Sequence, residues 1–259
     1  MVEWLSDLIK ELNWRCENSP YIRDLHTSED SLSTGRELCL VLWPFISALP
    51  ANVSLVMSKL PEQMTAAHKF FGQLKDDDRH YQRMFIKGCL LAGIEEETIR
   101  ATVPGEATLF LCDLMNHYCT SDDFNDGVLA IVTAELAATC FARHSLPYFE
   151  KYFEHHADEV RKISVDEGLE WLRLHAKPHP KHAIWLRRTI EAVETKRTGS
   201  PTNKLPEPVE RLVAAIHKFQ KSDRAAKDST TDEADAQYDP KNKSDLVPRS
   251  GELIRQSPR

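Results

Sequence analysis

Apolar side chains recur every three or four residues along most of the first 196 residues of the chain. Near the N-terminus, the apolar stripe within residues 2–14 consists of Trp4, Leu5, Leu8, Ile9 and Leu12. This spacing places the side chains on one face of an α-helix. We find no run in which apolar and polar residues alternate with the period of two that a half-buried strand shows. The sequence therefore predicts an all-α fold.

Prolines and glycines divide this pattern into helical segments. A helix over residues 35–43, capped by Ser33 or Thr34, is expected to end or kink at Pro44. The further predicted helices are a piece between Pro50 and Pro61, then residues 62–92, 106–119, 122–144, 148–161, 165–176 and 181–196.

Three residues mark the ends of these later segments. Gly93 suits the position just after a helix, where a left-handed backbone is common, and so closes the helix over 62–92. Ser121 is a suitable N-cap for the helix over 122–144. Pro147 is expected to separate that helix from the next one.

The character of the chain changes after residue 196. Residues 197–222 read as a linker followed by one amphipathic helix over 208–222. Residues 223–259 are charged and almost free of large apolar side chains, so burial cannot offset their ordering entropy and we expect disorder. The predicted organisation is a helical domain over 1–196, the linker and helix, and a disordered tail.

Charge and cysteine usage narrow the class of protein. The net charge of −7 argues against nucleic acid and anionic membrane surfaces as partners. No uninterrupted apolar run approaches about 18 residues, so we expect no membrane span. The N-terminus lacks the basic region of a signal peptide. Six cysteines without CxxC spacing indicate reduced thiols in a cytoplasmic protein.

Residues 171–188 contain the largest group of candidate metal ligands. His175, His179 and His182 would share one face of a continuous helix, and converging neutral imidazoles are typical of transition-metal sites. Pro178 and Pro180 predict a break inside this segment, so the histidines are expected to straddle a junction between two helices. The alternative is a polar, positively charged junction without a ligand role.

Two other segments offer further ligands. Asp77 and His80 form an i, i+3 pair in the predicted helix over 62–92, a spacing used for metal ligands in helical bundles. Glu135 is the one charged residue between Asp126 and Arg143, and burying it requires a cation, a donor or a metal. The alternative is a solvated acidic turn for Asp77 and His80, and a salt bridge to a core Arg or His for Glu135.

A metal-free alternative rests on Cys140, which follows Glu135 in the same apolar segment. A nucleophilic thiol needs an electropositive setting, which Arg143 and His144 could supply. A buried, unreactive thiol is the simpler interpretation. Arg143, His144 and Arg187 are also candidates for binding a substrate.

The order of these motifs resembles a known family. Carboxylate-x-x-His, an isolated glutamate in an alanine-rich helix and a final histidine cluster are similar to the haem-oxygenase-like metal oxidases of the TenA/PqqC-like superfamily, and most closely to its UndA-type non-haem iron oxidases. The resemblance covers about residues 15–196 and implies a bundle of about seven helices. The family usually has Glu at the position of Asp77 and an acidic residue at that of His179.

The resemblance implies a metal site and an oxidative activity. The implied ligands are Asp77, His80, Glu135, His175, His179 and His182, holding one or two Fe(II) ions per chain with O2 as co-substrate. The implied reaction is oxidative C–C cleavage, desaturation or N-oxidation of a small amino-acid-derived or fatty-acid-type molecule by a possible homodimer. The alternatives are a TenA-like thiaminase or aminopyrimidine hydrolase that uses Cys140, and a non-catalytic helical interaction protein.

Overall fold

The structure is a computed structural model that describes residues 3–27, 31–156, 162–177, 180–198 and 205–221. Side chains are described within these ranges except at residues 3, 31, 76–79, 196–198 and 219–221. The described residues form ten helices and no strand. They are α1 (Glu3–Glu17), α2 (Pro20–Thr27), α3 (Ser31–Lys59), α4 (Thr65–Leu91), α5 (Glu96–Arg100), α6 (Glu106–Thr120), α7 (Phe124–His155), α8 (Val165–Ala176), α9 (Pro180–Thr198) and α10 (Glu207–Lys221).

The all-α prediction is confirmed, and α4, α6, α8, α9 and α10 lie close to their predicted bounds. The end of α4 agrees in detail: Gly93 has φ +80°, the left-handed conformation expected after a helix. Apart from the short helices α2 and α5, seven described helices lie before residue 199, which agrees with the expected bundle of about seven helices.

Prolines do not divide the chain as the sequence predicts. Pro44 and Pro50 both lie inside α3, and Pro147 lies inside α7. Each proline removes one backbone hydrogen bond, yet the apolar residues before and after it belong to the buried core. Packing along these two long helices therefore outweighs the local preference to end them.

Two predicted caps are also corrected. Asp123, not Ser121, is the N-cap of α7, because its Oδ1 accepts a hydrogen bond of 3.0 Å from the backbone N–H of Asn125. The Ser121 hydroxyl instead donates to Asp126 at 2.9 Å. Helix α3 begins at Ser31, so Ser33 and Thr34 lie within its first turn and not before it.

The largest core cluster joins helices from both ends of the chain. Leu8 of α1, Phe70 and Phe71 of α4, and the apolar run at the start of α7 are fully buried within it. Val209, Leu212 and Val213 of α10 are members of the same cluster. The helix that the sequence assigned to a segment beyond residue 196 therefore packs into the core of the bundle. The predicted disordered tail, 223–259, lies outside the described residues.

Helices α3 and α7 are the two described helices that are long and apolar enough to span a membrane by length and composition. Core helices of soluble proteins pass the same test, and in α7 more than half of the apolar window is buried inside the bundle. In α3, 28% of the apolar window is buried, and Leu42, Phe45 and Leu49, which border a cavity, are partly exposed.

Candidate active site

Three helices bring Glu135, His175 and His182 to the interior of the bundle. Glu135 lies in the middle of α7, His175 near the end of α8, and His182 in the first turn of α9. His175 and His182 are both buried. His182 Nε2 lies 3.7 Å from Glu135 Oε2, and the His182 ring packs against Phe70 of α4 with centroids 5.0 Å apart.

One nitrogen of His175 is held by its own helix. Its Nδ1 lies 2.8 Å from the backbone carbonyl oxygen of Trp171, so Nδ1 carries the proton and donates. The ring also stacks on the Trp171 indole, with centroids 4.1 Å apart, and meets Tyr81 edge to face at 5.4 Å. These contacts leave Nε2 with the lone pair that a metal ligand needs.

Burial sets the charge state of His175. The pKa of the imidazole is lowered to about 4, mainly by burial; the hydrogen bond to the Trp171 carbonyl raises it, and the nearby His182 lowers it. His175 is therefore neutral at physiological pH. A neutral imidazole is the form that binds transition metals.

The site opens onto a cavity of about 110 Å³ in the centre of the bundle. Glu135 and His175 supply its carboxylate and its imidazole, and the rest of the lining is mostly aliphatic and aromatic. Ile216 is also among the lining residues, so α10 contributes to the cavity as well as to the core. An apolar cavity with a few convergent polar groups is typical of a small-molecule site.

The predicted substrate-binding residues lie elsewhere. Arg143 is exposed, and its Nε donates to the carbonyl oxygen of Ala176 at 3.1 Å, which ties α7 to the end of α8. His144 is half-buried, and burial lowers its pKa. Arg187 is exposed. None of the three lines the cavity, and no Lys or Arg is among the described residues that do.

The other predicted ligands do not join this cluster in the described part of the chain. His80 is exposed. His179 lies outside the described residues, and Asp77 lies in α4 but its side chain is outside the described set. Within the described residues, no group of three or more His, Cys, Asp and Glu side chains is arranged to hold a metal ion.

The donor set nevertheless fits iron in its chemistry. Two imidazoles and one carboxylate are the ligands of the facial triad in non-haem iron(II) oxygenases. Glu135 and His182 already face one another, and His175 Nε2 is the unprotonated nitrogen of a buried, neutral ring.

Cys140 differs from an activated nucleophile. The thiol is buried, and burial raises its pKa to about 11, although Arg143 acts to lower it. Cys140 is also not among the described residues that line the cavity, although Glu135, Ala138 and Phe141 of the same helix are. All six cysteines are free thiols, as the sequence predicts.

Sequence reasoning missed the aromatic residues that support the site. Tyr81, Phe141 and Trp171 line the cavity, and Trp171 also supplies the carbonyl that orients His175. A signal for Trp171 was present, since it precedes His175 by four residues and hence lies on the same helical face. The position of Ile216 had no such signal, because it depends on how α10 folds back.

Comparison with known proteins supports the fold. No protein-family model matches the chain, and no curated protein matches it. The crystal structure of a TenA homolog from Pseudomonas syringae pv. tomato superposes with a TM-score of 0.65 at 14% sequence identity, covering 84% of this chain and 89% of the other. The likeness is one of fold. The chain folds as an all-helical bundle similar to that of this TenA homolog.

Proposed function

We propose that the protein is a non-haem iron-dependent, O2-activating oxidase or oxygenase that acts on a small molecule. The observation that carries this proposal is the approach of the Glu135 carboxylate to the buried His182, with the buried, neutral His175 lining the same apolar cavity as Glu135. Iron(II) bound by Glu135, His175 and His182 would supply the reduction of dioxygen that C–C cleavage, desaturation or N-oxidation requires.

The chain's own residues have three tasks in this proposal. The Trp171 carbonyl fixes the His175 tautomer and so directs Nε2 as the donor atom. The Glu135 carboxylate offsets part of the positive charge of a bound metal. The aliphatic and aromatic lining excludes water, which protects reactive species from side reactions. Asp77, His80 and His179 are proposed as further ligands, to complete the first site or form a second one.

Anaerobic iron loading tests the proposal. The parent and the variants Glu135→Ala, His175→Ala and His182→Ala are loaded with iron(II) and desalted, and metal per chain is measured by elemental analysis. We expect about one to two irons in the parent and a loss of most of the metal in each variant, since removing one of three ligands leaves an incomplete coordination sphere. Addition of dioxygen should then produce a transient visible absorbance in the parent.

His155→Ala is the matched control. Its Nδ1 lies 2.7 Å from the carbonyl of Lys151, four residues earlier, as His175 bonds Trp171, but the His155 side chain is exposed on α7. This variant should bind as much iron as the parent. Equal loss in the control would show that the metal binds to surface histidines, and the proposal would fail.

Absence of stoichiometric iron in the parent would also overturn the proposal. The two alternatives would then be separated by hydrolysis of thiamin fragments with and without alkylation of Cys140. Hydrolysis that alkylation abolishes would indicate the metal-free enzyme. No turnover and no metal would indicate a non-catalytic helical protein.

A further inference from the structure

Helices α3 and α4 run antiparallel, and two contacts fix their register. At one end, Arg36 Nε donates to the carbonyl oxygen of Ala92 at 2.7 Å. Further along α3, the Trp43 ring stacks on the Phe85 ring with centroids 6.4 Å apart. From the first contact to the second, α3 advances by seven residues and α4 goes back by seven. Each step along one helix is therefore matched by an equal step in the opposite direction on the other.

This register places Cys39 of α3 opposite Cys89 of α4. Cys39 follows Arg36 by three residues, and on the other helix Cys89 precedes Ala92 by the same three. The two thiols are hydrogen-bonded to one another, and Cys39 packs against the core cluster that contains Cys89. A disulfide needs two cysteines whose side chains point toward each other across a short gap, and this pair meets that condition.

The two thiols differ in their access to small molecules. Cys89 is fully buried, and its hydrogen bond with Cys39 and its burial hold the pKa of its thiol well above the usual range, so it stays protonated. Cys39 is half-buried and lines a second cavity, of about 50 Å³. A cavity of this size has room for a molecule as small as hydrogen peroxide. Cys39 is therefore the thiol that such an oxidant reaches first.

We propose that Cys39 and Cys89 form a redox-modification site, in which hydrogen peroxide converts the two free thiols into a disulfide between α3 and α4. First, the Cys39 sulfur attacks a peroxide oxygen, the O–O bond breaks, and Cys39 becomes a sulfenic acid as one water is released. The Cys89 sulfur then attacks the Cys39 sulfur, the S–O bond breaks, and the hydroxyl leaves with the Cys89 proton as a second water. Two thiols lose two electrons, and one peroxide becomes two waters.

The disulfide would change the behaviour of the fold. It joins residues 50 positions apart, since 89 − 39 = 50, and a cross-link over such a loop restrains the unfolded chain. The bond also lies near the candidate site, because Leu42, three residues after Cys39, lines both the second cavity and the one that contains Glu135. The proposal does not rest on the proposed function, since the peroxide comes from outside the protein.

Peroxide treatment of the reduced, folded full chain tests the site. The remaining thiols are alkylated before the protein is denatured, digested without reductant and analysed by mass spectrometry. We expect loss of two of the six free thiols and one cross-linked peptide that joins Cys39 to Cys89. The urea midpoint of the oxidised protein should rise and return to its starting value after treatment with dithiothreitol. Retention of all six thiols, or a cross-link between any other pair, would overturn the proposal.

Three substitutions test the order of the two steps. Cys89→Ser should leave Cys39 as a sulfenic acid, which dimedone traps, because the resolving thiol is missing. Cys39→Ser should abolish both the cross-link and any dimedone labelling of Cys89, because the oxidant does not reach the buried thiol. Dimedone labelling of Cys89 in that variant would contradict the proposed order.

Cys112→Ser is the matched control. Cys112 is half-buried like Cys39 but lies on α6, so this variant should form as much of the cross-link as the parent. Loss of the cross-link in the control would count against a specific pair. The peptide map of the parent needs no substitution, so it decides the proposal even if one variant does not fold.

Discussion

A buried imidazole with a lowered pKa makes the stability of the fold depend on pH. The unfolded chain protonates His175 with an ordinary pKa near 6.5, whereas the folded chain protonates it near 4. Between these values the unfolded state binds a proton that the folded state does not, so stability falls as the pH is lowered. Above about pH 6.5 the residue is neutral in both states and contributes no pH dependence.

His175→Gln should remove this dependence. In the metal-free parent we expect His175 to account for a loss of about 2.5 kcal/mol in the free energy of unfolding between pH 7 and pH 4.5. The variant should be less stable than the parent at pH 7, because it loses packing, but should lose less stability on acidification. Urea unfolding at both pH values measures the difference. Equal losses in the parent and the variant would show that His175 is solvated in the folded state.

For Glu135, the sequence predicts burial with a partner but not which residue that partner is. Its isolation in an apolar segment predicted a buried carboxylate with a specific partner, and the structure supplies His182 at 3.7 Å. The partner itself could not be deduced, since 47 positions separate the two residues and their approach depends on the packing of α9 against α4 and α7.

At the scale of the helix, the end of α4 is set by a glycine and an arginine. Gly93 takes the left-handed conformation, and Arg36 of α3 donates from Nε to the carbonyl oxygen of Ala92 at 2.7 Å. An added Cβ at Gly93 would lie 3.0 Å from the Arg36 guanidinium. The helix end and the α3–α4 contact are therefore one feature.

Gly93→Ala and Gly72→Ala should change stability in opposite directions. The first forces alanine into the left-handed region and should cost about 1 to 2 kcal/mol. The second places alanine inside α4, where the added Cβ meets nothing within 4 Å apart from its chain neighbours and the backbone of its own helix, and should add about 0.5 to 1 kcal/mol. Thermal or urea unfolding of both variants measures the signs. Destabilisation by both would indicate that α4 is not helical at Gly72.

The prolines in α3 and α7 show that local sequence preferences do not by themselves determine where a helix ends. The sequence predicts ends near Pro44 and Pro147, and both residues lie inside continuous helices. The local cost of a proline is about 3 kcal/mol. Burial of the flanking residues, such as Trp43, Ile46, Leu146 and Phe149, can offset that cost.

At the scale of the whole molecule, α10 completes the bundle. Its buried face lies in the main core, and Ile216 forms part of the cavity wall. Polar contacts hold it at its start, where Glu207 accepts hydrogen bonds from the Tyr118 hydroxyl at 2.9 Å and from Arg211 at 3.1 Å. The packed helical bundle therefore extends beyond residue 196.

Two truncations test this role of α10. Ending the chain after residue 198 removes Val209, Leu212 and Val213 from the core and should reduce the free energy of unfolding by roughly 5 kcal/mol or more. Ending it after residue 221 removes the tail that the sequence predicts to be disordered and should leave stability unchanged. Urea unfolding compares both with the full chain. Equal stability of the three proteins would show that α10 is not part of the core.

The sequence by itself determined the helical class, most of the later helix positions and the residue types available for a site. These properties follow from local periodicity and from the cost of placing charge among apolar residues. Only the tertiary structure decided that helices continue through their prolines, that Glu135 meets His182 while His80 stays exposed, and that α10 packs into the core and lines the cavity. These outcomes depend on contacts between distant segments, whose combined burial outweighs any local preference.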